Sequence, residues 1–413
     1  MSALLLSHAR LIDGLGGAPR DACDVLVEDG VIAAIAPTGR LSLPDVTDRI
    51  RSIDARGLTL MPGFFDCHIH ASTDPDQSAL EAITEVESAK TLRAVPNLRA
   101  TLLAGVTTAR DLAGADSGFR DSIDRGVIDG PRLLVALRIL SITGGHGDPR
   151  AINGLALDSG PGAGAIADSP DGFVRITREA IREGADWIKI AATGGVGSPR
   201  SHPEGGGLSE AEMRAVVDEA NRHGVAGVAA HAIGADGIAA AVRAGVRSIE
   251  HGYLVDDATI EMMIERGTVL VPTLSTLTRE VSPNAAPWVR AKRQKTIERA
   301  GERLRAAISA GVTVALGTDA GIVTHGGNLR ELGLLVDFGL TPMQAILAGT
   351  ANAARLNRLD DEVGTIEVGK RADLVATSVD PLLDIHALAR PRAMSVIVQA
   401  GNLITQPTEA FPR

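Results

Sequence analysis

The sequence predicts an α/β protein built on a (β/α)8 TIM-type barrel, with a small β-sandwich module formed by both ends of the chain. Three observations carry that expectation. Short apolar runs alternate with helical stretches through the middle of the chain, the pattern of parallel strands joined by helices. Eight such runs can be counted, and a barrel of eight strand–helix units typically occupies about 250 residues. Both ends of the chain have another texture, with short strand-like segments separated by Gly, Pro and Asp.

Taken in order, the N-terminal strands are expected at Ala3–Ile12, Val25–Glu28, Val31–Ile35 and Arg49–Asp54. The barrel strands follow at Leu58–Phe65, Val106–Asp111, Arg132–Ser141, Trp187–Ala192, Val225–His231, Ser248–His251, Thr268–Leu274 and Val312–Thr318. Helices are expected at Gln77–Leu103, Asp171–Glu183, Ser209–His223, Ala235–Ala244, Asp256–Arg266, Trp288–Ala310 and Met343–Asn357. Ser209 opens Ser-Glu-Ala-Glu, close to a capping box. Strand texture returns at Gly364–Ile366, Ala372–Thr377 and Met394–Ala400. The domain reading is a composite sandwich from residues 1–57 and 362–413 beside a barrel over 58–361. The stretch Gly144–Pro170 has no element of its own, and long loops of this kind often serve as active-site lids.

Composition narrows the function. The chain has 413 residues, 45% of them hydrophobic, which is ample for a large core. Its 46 glycines and 2% aromatics suit many tight turns around a core of Ala, Val, Leu and Ile. A net charge of −10 gives no support to a nucleic-acid surface. The basic stretch Arg290 to Arg305 fits a solvated helix face. No segment approaches the ~20 apolar residues of a membrane span. Met1 to Arg10 has neither a basic start nor a small-residue cleavage site and reads as a strand. Cys23 and Cys67 are too few for a disulfide framework and fit reduced thiols. A soluble, cytoplasmic protein is expected.

Candidate chemistry collects at strand ends, where barrels carry their active sites. His68 and His70 are spaced i, i+2, so both side chains point to one side of a strand. Lys189 interrupts the apolar run Trp187-Ile188-Lys189-Ile190. A buried lysine is costly unless its charge is paired or removed. Lys189 therefore either snorkels or pairs with a carboxylate, or it is a neutral amine that has taken up CO2. The resulting carbamate has two oxygens and can bridge two cations. His231, His251 and Asp319 each close an apolar run. Taken singly, each fits a structural role. Together, His68, His70, Lys189, His231, His251 and Asp319 predict a site for two divalent metal ions.

The motifs Met61-Pro62-Gly63-Phe64-Phe65-Asp66-Cys67-His68-Ile69-His70, Ile188-Lys189-Ile190, Ala230-His231-Ala232, Ile249-Glu250-His251-Gly252 and Gly317-Thr318-Asp319 resemble those of the amidohydrolase superfamily. The resemblance runs over nearly the whole chain and includes Val363 to Leu374, which is similar to that superfamily's returning sandwich segment. Gly105-Val106-Thr107-Thr108, Thr143-Gly144-Gly145-His146-Gly147 and Thr193-Gly194-Gly195-Val196 resemble one branch. That branch holds metal-dependent carboxypeptidases and prolidases acting on dipeptides and N-acyl amino acids, and enzymes that hydrolyse the amide of ochratoxin. The resemblance implies that His68, His70 and Asp319 bind one metal and His231 and His251 a second. Carbamylated Lys189 and a hydroxide would bridge the pair. Zinc suits such ligands best. A metal-bound water has its pKa lowered from about 15.7 to ~7. Asp319 would pass the proton to the leaving amine. The implied substrate is a small molecule with an amide next to a free carboxylate, and a homo-oligomer is expected.

The remaining candidates have two readings each. His146, in the glycine-rich turn, is a substrate carbonyl contact or a plain loop histidine. Arg138 and Arg200 match a carboxylate fork, or form ion pairs. His325 is a substrate-binding candidate or, like His202, a solvated loop histidine. Asp111 is a candidate support for the metal ligands. Some members of the branch carry a carbonyl-polarising tyrosine two places after the strand-five histidine, where this chain has Ile233. Tyr253 or His146 then takes that role, or the substrate differs. The alternatives are a cyclic amidohydrolase similar to imidazolonepropionase, against which Lys189 argues, and a lactonase or phosphotriesterase, which shares the lysine. A non-catalytic scaffold would be expected to lose metal ligands, whereas all six positions are filled here.

Overall fold

The computed structural model describes residues 3–42, 50–77, 81, 84–148, 150, 164–196, 201–280 and 287–404. Strand β1 (Ala3–Leu11) turns Leu4 and Leu6 inward and, after a register shift between Leu6 and Ala9, Ala9 and Leu11, each pair at the two-residue period of a half-buried strand. It pairs antiparallel with β2 (Arg20–Glu28), which carries β3 (Val31–Pro37) on its far edge. On its other side β1 runs parallel to β4 (Ile50–Asp54) and then β5 (Thr59–Pro62). The C-terminal strands β15 (Leu374–Thr377), β16 (Met394–Gln399) and β17 (Asn402–Leu403) complete this sheet, with β15 antiparallel to β5. Its order is β17-β16-β15-β5-β1-β2-β3, with β4 on β1. Leu6, Val25, Leu60, Leu374 and Val398 form its buried core.

The strand expected at Leu58–Phe65 is two strands. Thr59–Pro62 belongs to the terminal sheet, and β6 (Phe64–Ile69) begins the parallel part of the molecule. Gly63 divides them. A Cβ there would lie 2.2 Å from the Thr107 hydroxyl, so only glycine lets the chain pass.

The parallel strands form two sheets. One is β6, β7 (Val106–Asp111) and β8 (Arg132–Val135). The other has the order β10-β9-β11-β12-β13-β14. Its members are β9 (Ile139–Ser141), β10 (Ala165–Ile166), β11 (Ile188–Ala191), β12 (Val228–Ala232), β13 (Ser248–His251) and β14 (Val269–Val271). The run expected at Arg132–Ser141 thus breaks after Val135, where Leu137 adopts a left-handed φ of 65°. The run expected at Val312–Thr318 has no continuous ladder, only an isolated bridge from Val314 to Leu270. It still hydrogen-bonds both ways: Ala315 N donates to Leu270 O at 3.0 Å, and Cys67 N donates to Leu316 O at 2.8 Å. The segment therefore runs between β14 and β6.

Helices separate the strands: α1 (Glu87–Leu103), α2 (Ser117–Asp124), α3 (Pro170–Arg182), α4 (Glu210–Arg222), α5 (Ala235–Ala244) and α6 (Asp257–Arg266). After β14 come α7 (Leu274–Thr278), α8 (Pro287–Ala310), α9 (Arg330–Asp337), α10 (Pro342–Ala348) and α11 (Ala351–Leu356). Helix α3 buries Phe173, Ile176, Thr177 and Ala180, one face at 3.6-residue spacing. Burying side chains such as Phe173 and Ile176 contributes about 1.5–3 kcal/mol each. Ser209 and Glu212 close a capping box on α4. Most of the loop expected at 144–170 lies outside the described residues. Among the described residues, no helix is long and apolar enough to cross a membrane. Cys23 and Cys67 are both free and buried.

Candidate metal centre and its cavity

The C-terminal ends of β6, β11, β12 and β13, with Asp319, surround a cavity of about 530 Å³. Each side chain that faces it is oriented from behind. His68 directs Nδ1–H to Glu250 Oε2 at 2.8 Å. Glu250 in turn accepts from Arg110 at 2.8 Å and from Ser248 Oγ at 2.5 Å. Arg110 also donates to Cys67 O at 2.6 Å and lies 4.3 Å over the Trp187 ring. Arg110 and Glu250 are fully buried, and a buried ion pair is tolerable when hydrogen bonds complete it, as they do here. His70 directs Nδ1–H to Ala113 O at 2.6 Å. Asp111 shapes that acceptor by taking hydrogen bonds from the backbone of Ala71, Ala113 and Ala115. Asp111 thus holds the turn that presents the His70 acceptor.

With both Nδ1 protons committed, each Nε2 carries a lone pair. These nitrogens face Asp319 Oδ1, at 3.6 Å from His68 and 3.2 Å from His70. Acceptors aimed at one another require a proton or a cation between them. Asp319 is fixed by its own backbone, with N donating to His68 O at 2.8 Å and a left-handed φ of 62°. Asp66 ties β6 to this segment by accepting from Thr318 N, Thr318 Oγ1 and Asn328 Nδ2.

His251 is also left-handed, with a φ of 72°, and its Nδ1 lies 2.7 Å from Thr273 Oγ1. Non-glycine residues held in this region at strand ends are typical of functional sites. Nitrogen or oxygen atoms of His68, His251 and Asp319 lie within 4.8 Å of one another. His231 directs Nε2–H to Gly194 O at 3.1 Å. Its ring centroid is 4.7 Å from that of His251. The Lys189 amine, 1% exposed, lines the same cavity and has no hydrogen-bond partner among the described residues. His146 stacks on His231 with centroids 4.1 Å apart. A Cβ on Gly195 would enter the His146 ring at 2.3 Å, so that glycine makes the stack possible.

The electrostatics follow from burial. Burial drives His68 and His231 well below the ordinary histidine value and takes His146 and His251 to about 4. Burial also pulls His70 down, but the Asp319 carboxylate outweighs it and leaves the ring raised. Burial alone would raise Asp319, yet His68 and His70 hold it below the usual carboxylate range. Burial lowers the Lys189 amine to about 8.

Other candidates lie elsewhere. Arg138 does not line the cavity; its guanidinium pairs with Glu183 at the end of α3. Arg200 lies outside the described residues. His325 is a buried brace rather than a solvated loop residue. Its Nδ1 is 3.0 Å from Thr101 Oγ1, and its Nε2 is 3.3 Å from His70 O. His202 accepts from Glu204 N at 3.3 Å. Ile233 lines the cavity. Tyr253 also lines it, but its hydroxyl is engaged with Thr273 O at 3.3 Å and Thr273 Oγ1 at 3.1 Å. Residues the sequence reading missed include Glu250 as the support of His68, Arg110 behind it, and the cavity arginines Arg279 and Arg293. The burial cost that singles out Lys189 would also have flagged Arg110 and Glu250, since both interrupt strand runs. Arg279 and Arg293, on a loop and a charged helix, give no such signal.

The chain matches the amidohydrolase family over residues 59–404. It is 33% identical to ochratoxinase of Aspergillus niger over an alignment of 416 residues, covering 96% of this chain and 85% of that protein. The crystal structure of that ochratoxinase superposes with a TM-score of 0.85 at 29% identity, covering 99% of this chain and 97% of the other. A Xaa-Pro dipeptidase crystallised with methionine in its active site superposes with a TM-score of 0.89 at 32% identity, covering 98% and 100%. These folds imply a TIM-type barrel with an additional domain.

Proposed function

The chain belongs to the amidohydrolase family, in its prolidase-like branch, and from that premise we propose that it hydrolyses an amide bond beside a free carboxylate, in a dipeptide or N-acyl amino acid. The observation that carries the reading is the convergence of two imidazole nitrogens on one carboxylate oxygen. His68 Nε2, His70 Nε2 and Asp319 Oδ1 face one another, next to a buried lysine amine without a partner. This donor set fits divalent metal. His68, His70 and Asp319 would hold one ion, His231 and His251 a second, and a carbamate on Lys189 would link them. Nitrogen and oxygen ligands of this kind suit zinc. When bound, the ions would supply an acidified water and a Lewis acid for the carbonyl.

The protein's own groups do the rest. Glu250 and Ala113 keep both Nδ1 protons away from the cavity and so keep each Nε2 available. Asp319 Oδ1 accepts the proton released as water adds to the carbonyl and returns it to the leaving amine, a role that needs a carboxylate ionised at neutral pH. Burial keeps His146 neutral, and its ring, stacked on His231, lines the cavity where the carbonyl oxygen would lie. The Tyr253 hydroxyl is occupied by Thr273, so Tyr253 is assigned to positioning and the carbonyl contact to His146. For the architecture, the reading is one closed (β/α)8 barrel, sealed by residues 312–320 between β14 and β6, beside a sandwich drawn from both chain ends.

Metal analysis with a hydrolysis panel of dipeptides, N-acyl amino acids, ochratoxin A, a lactone and a phosphotriester tests this reading. The expected result is about two metal ions per chain with cleavage of the carboxylate-bearing amides. Turnover of the lactone or phosphotriester alone would overturn the substrate class. Absence of both metal and turnover after zinc and bicarbonate are supplied would overturn the enzyme.

A further inference from the structure

Two guanidinium groups on the cavity wall beyond β14 are left unexplained by the metal centre. Arg279 follows α7 and Arg293 sits on α8, and both line the cavity. Arg293 is 7% exposed. Its Nη1 donates to Thr276 O at 2.9 Å and its Nη2 donates to Leu277 O at 2.8 Å and to Arg279 O. Both of its terminal nitrogens thus hold the backbone that carries Arg279, and among the described residues its buried Nε has no partner. Arg279 makes one hydrogen bond among the described residues, from Nη1 to Ile322 O at 3.3 Å. Its buried Nε has no partner, and the Nε–Nη2 edge of a guanidinium is the fork that matches a carboxylate. Among the described residues, no carboxylate lies within 4.0 Å of either arginine. Arg93, on the same cavity, differs: it pairs with Glu85 and lies 3.8 Å from Asp74. Two neighbouring cations without an acid repel one another, and an arriving anion would relieve that.

The surroundings define what accompanies the anion. Val289, Arg293 and Ile297 are spaced four residues apart on α8 and share one face. All three line the cavity, as do Leu277 and Ile322, whose carbonyls bind the two arginines. The floor around Arg279 is therefore apolar.

We propose that Arg279 receives the carboxylate of the substrate, with Arg293 as its positioning residue, and that Leu277, Val289, Ile297 and Ile322 accept the side chain beside that carboxylate. This rests on the reading of the site as an amide hydrolase and narrows its substrates to those with a bulky apolar residue at the carboxylate end.

Calorimetric titration of the metal-loaded protein with 3-phenylpropanoate and with its primary amide, which keep the apolar side chain but lack the acyl–amino bond, separates binding from turnover. Wild type is expected to bind the acid about 30-fold more tightly, the strength of a charge-assisted hydrogen bond. Arg279→Met should lose that preference while binding the amide within about 3-fold of wild type, which also reports a folded protein. Arg279→Lys, which keeps the charge but not the fork, should lose about 5-fold and serves if the methionine variant is unstable. Retention of the full preference in Arg279→Met or Arg279→Lys would overturn the proposal, as would equal binding of acid and amide by wild type. Failure of the amide-hydrolase reading looks different: a preference that depends on Arg279, with no cleavage of any acyl amino acid.

Discussion

On the strand side of the cavity, each imidazole that faces Asp319 is gripped from behind by a buried acceptor. His68 leans on Glu250, itself held by Arg110 and Ser248, and His70 leans on a carbonyl shaped by Asp111. On the loop side, Arg279 hangs from a single carbonyl among the described residues, and a shape complement at Gly195 seats His146 against His231. The strand side behaves as a preorganised scaffold whose parts act together, and the loop side as an adjustable surface. Losses on the strand side should therefore remove the reaction, whereas losses on the loop side should change what is bound.

The comparison breaks most sharply at Lys189. Lys189→Ala should reduce kcat/KM by at least about a thousandfold, the scale expected when a metal-assisted mechanism loses its link. A short carboxylic acid such as propionate should restore part of it. Full activity without rescue would remove the bridging role. Asp319→Asn comes next, with turnover expected to fall by at least about 100-fold, within the range of general acid–base catalysis. A loss below about tenfold would take the proton-transfer role away from Asp319. Glu250→Gln tests support rather than chemistry. Metal affinity should weaken about 10- to 100-fold, as for other partners of metal-binding histidines. Unchanged metal retention during dialysis against a chelator would show that His68 needs no such anchor.

The smallest effect sharpens the loop side. Glu331 on α9 accepts from Leu274 N, Ser275 N and Ser275 Oγ and so anchors α7. Burial pushes its carboxyl up to about 7. A raised acid contributes stability that is fully present below its unfolded value and is lost as pH rises through the folded one. The melting temperature of wild type relative to Glu331→Gln should therefore fall as pH rises from about 4.5 to 7. A difference that stays flat with pH would show that Glu331 is ionised throughout.

What the sequence made legible follows the same divide. His68, His70, Lys189, His231, His251 and Asp319 could be read because each polar group interrupts or ends an apolar run, and a strand has too few solvent-facing positions to hide it. The structure brings all six around one cavity. The eighth run, Val312–Thr318, was legible as apolar chain but not in its pairing, because its bonds go alternately to β14 and β6 rather than along one ladder. Arg138 looked like a carboxylate receptor because a guanidinium matches a carboxylate fork, yet the left-handed turn at Leu137 accompanies a side chain paired with Glu183. Arg279 was invisible because a loop arginine is ordinary until its neighbours are known to hold no acid. His325 was read as a substrate contact or a solvated loop residue for the same reason in reverse: Thr101 and the His70 carbonyl, which hold it as a brace, are remote in sequence.

The pairing of β5 with β15 has a consequence for biosynthesis. Met61 and Leu60 emerge from the ribosome early, and their partners Val375 and Ala376 emerge near the end. Until then, the β5 edge has no mate on that side, and an open strand edge is a template for intermolecular pairing. The final β-strands act as a late seal on the first ones. Premature termination before Leu374 should therefore yield aggregation rather than a shortened enzyme.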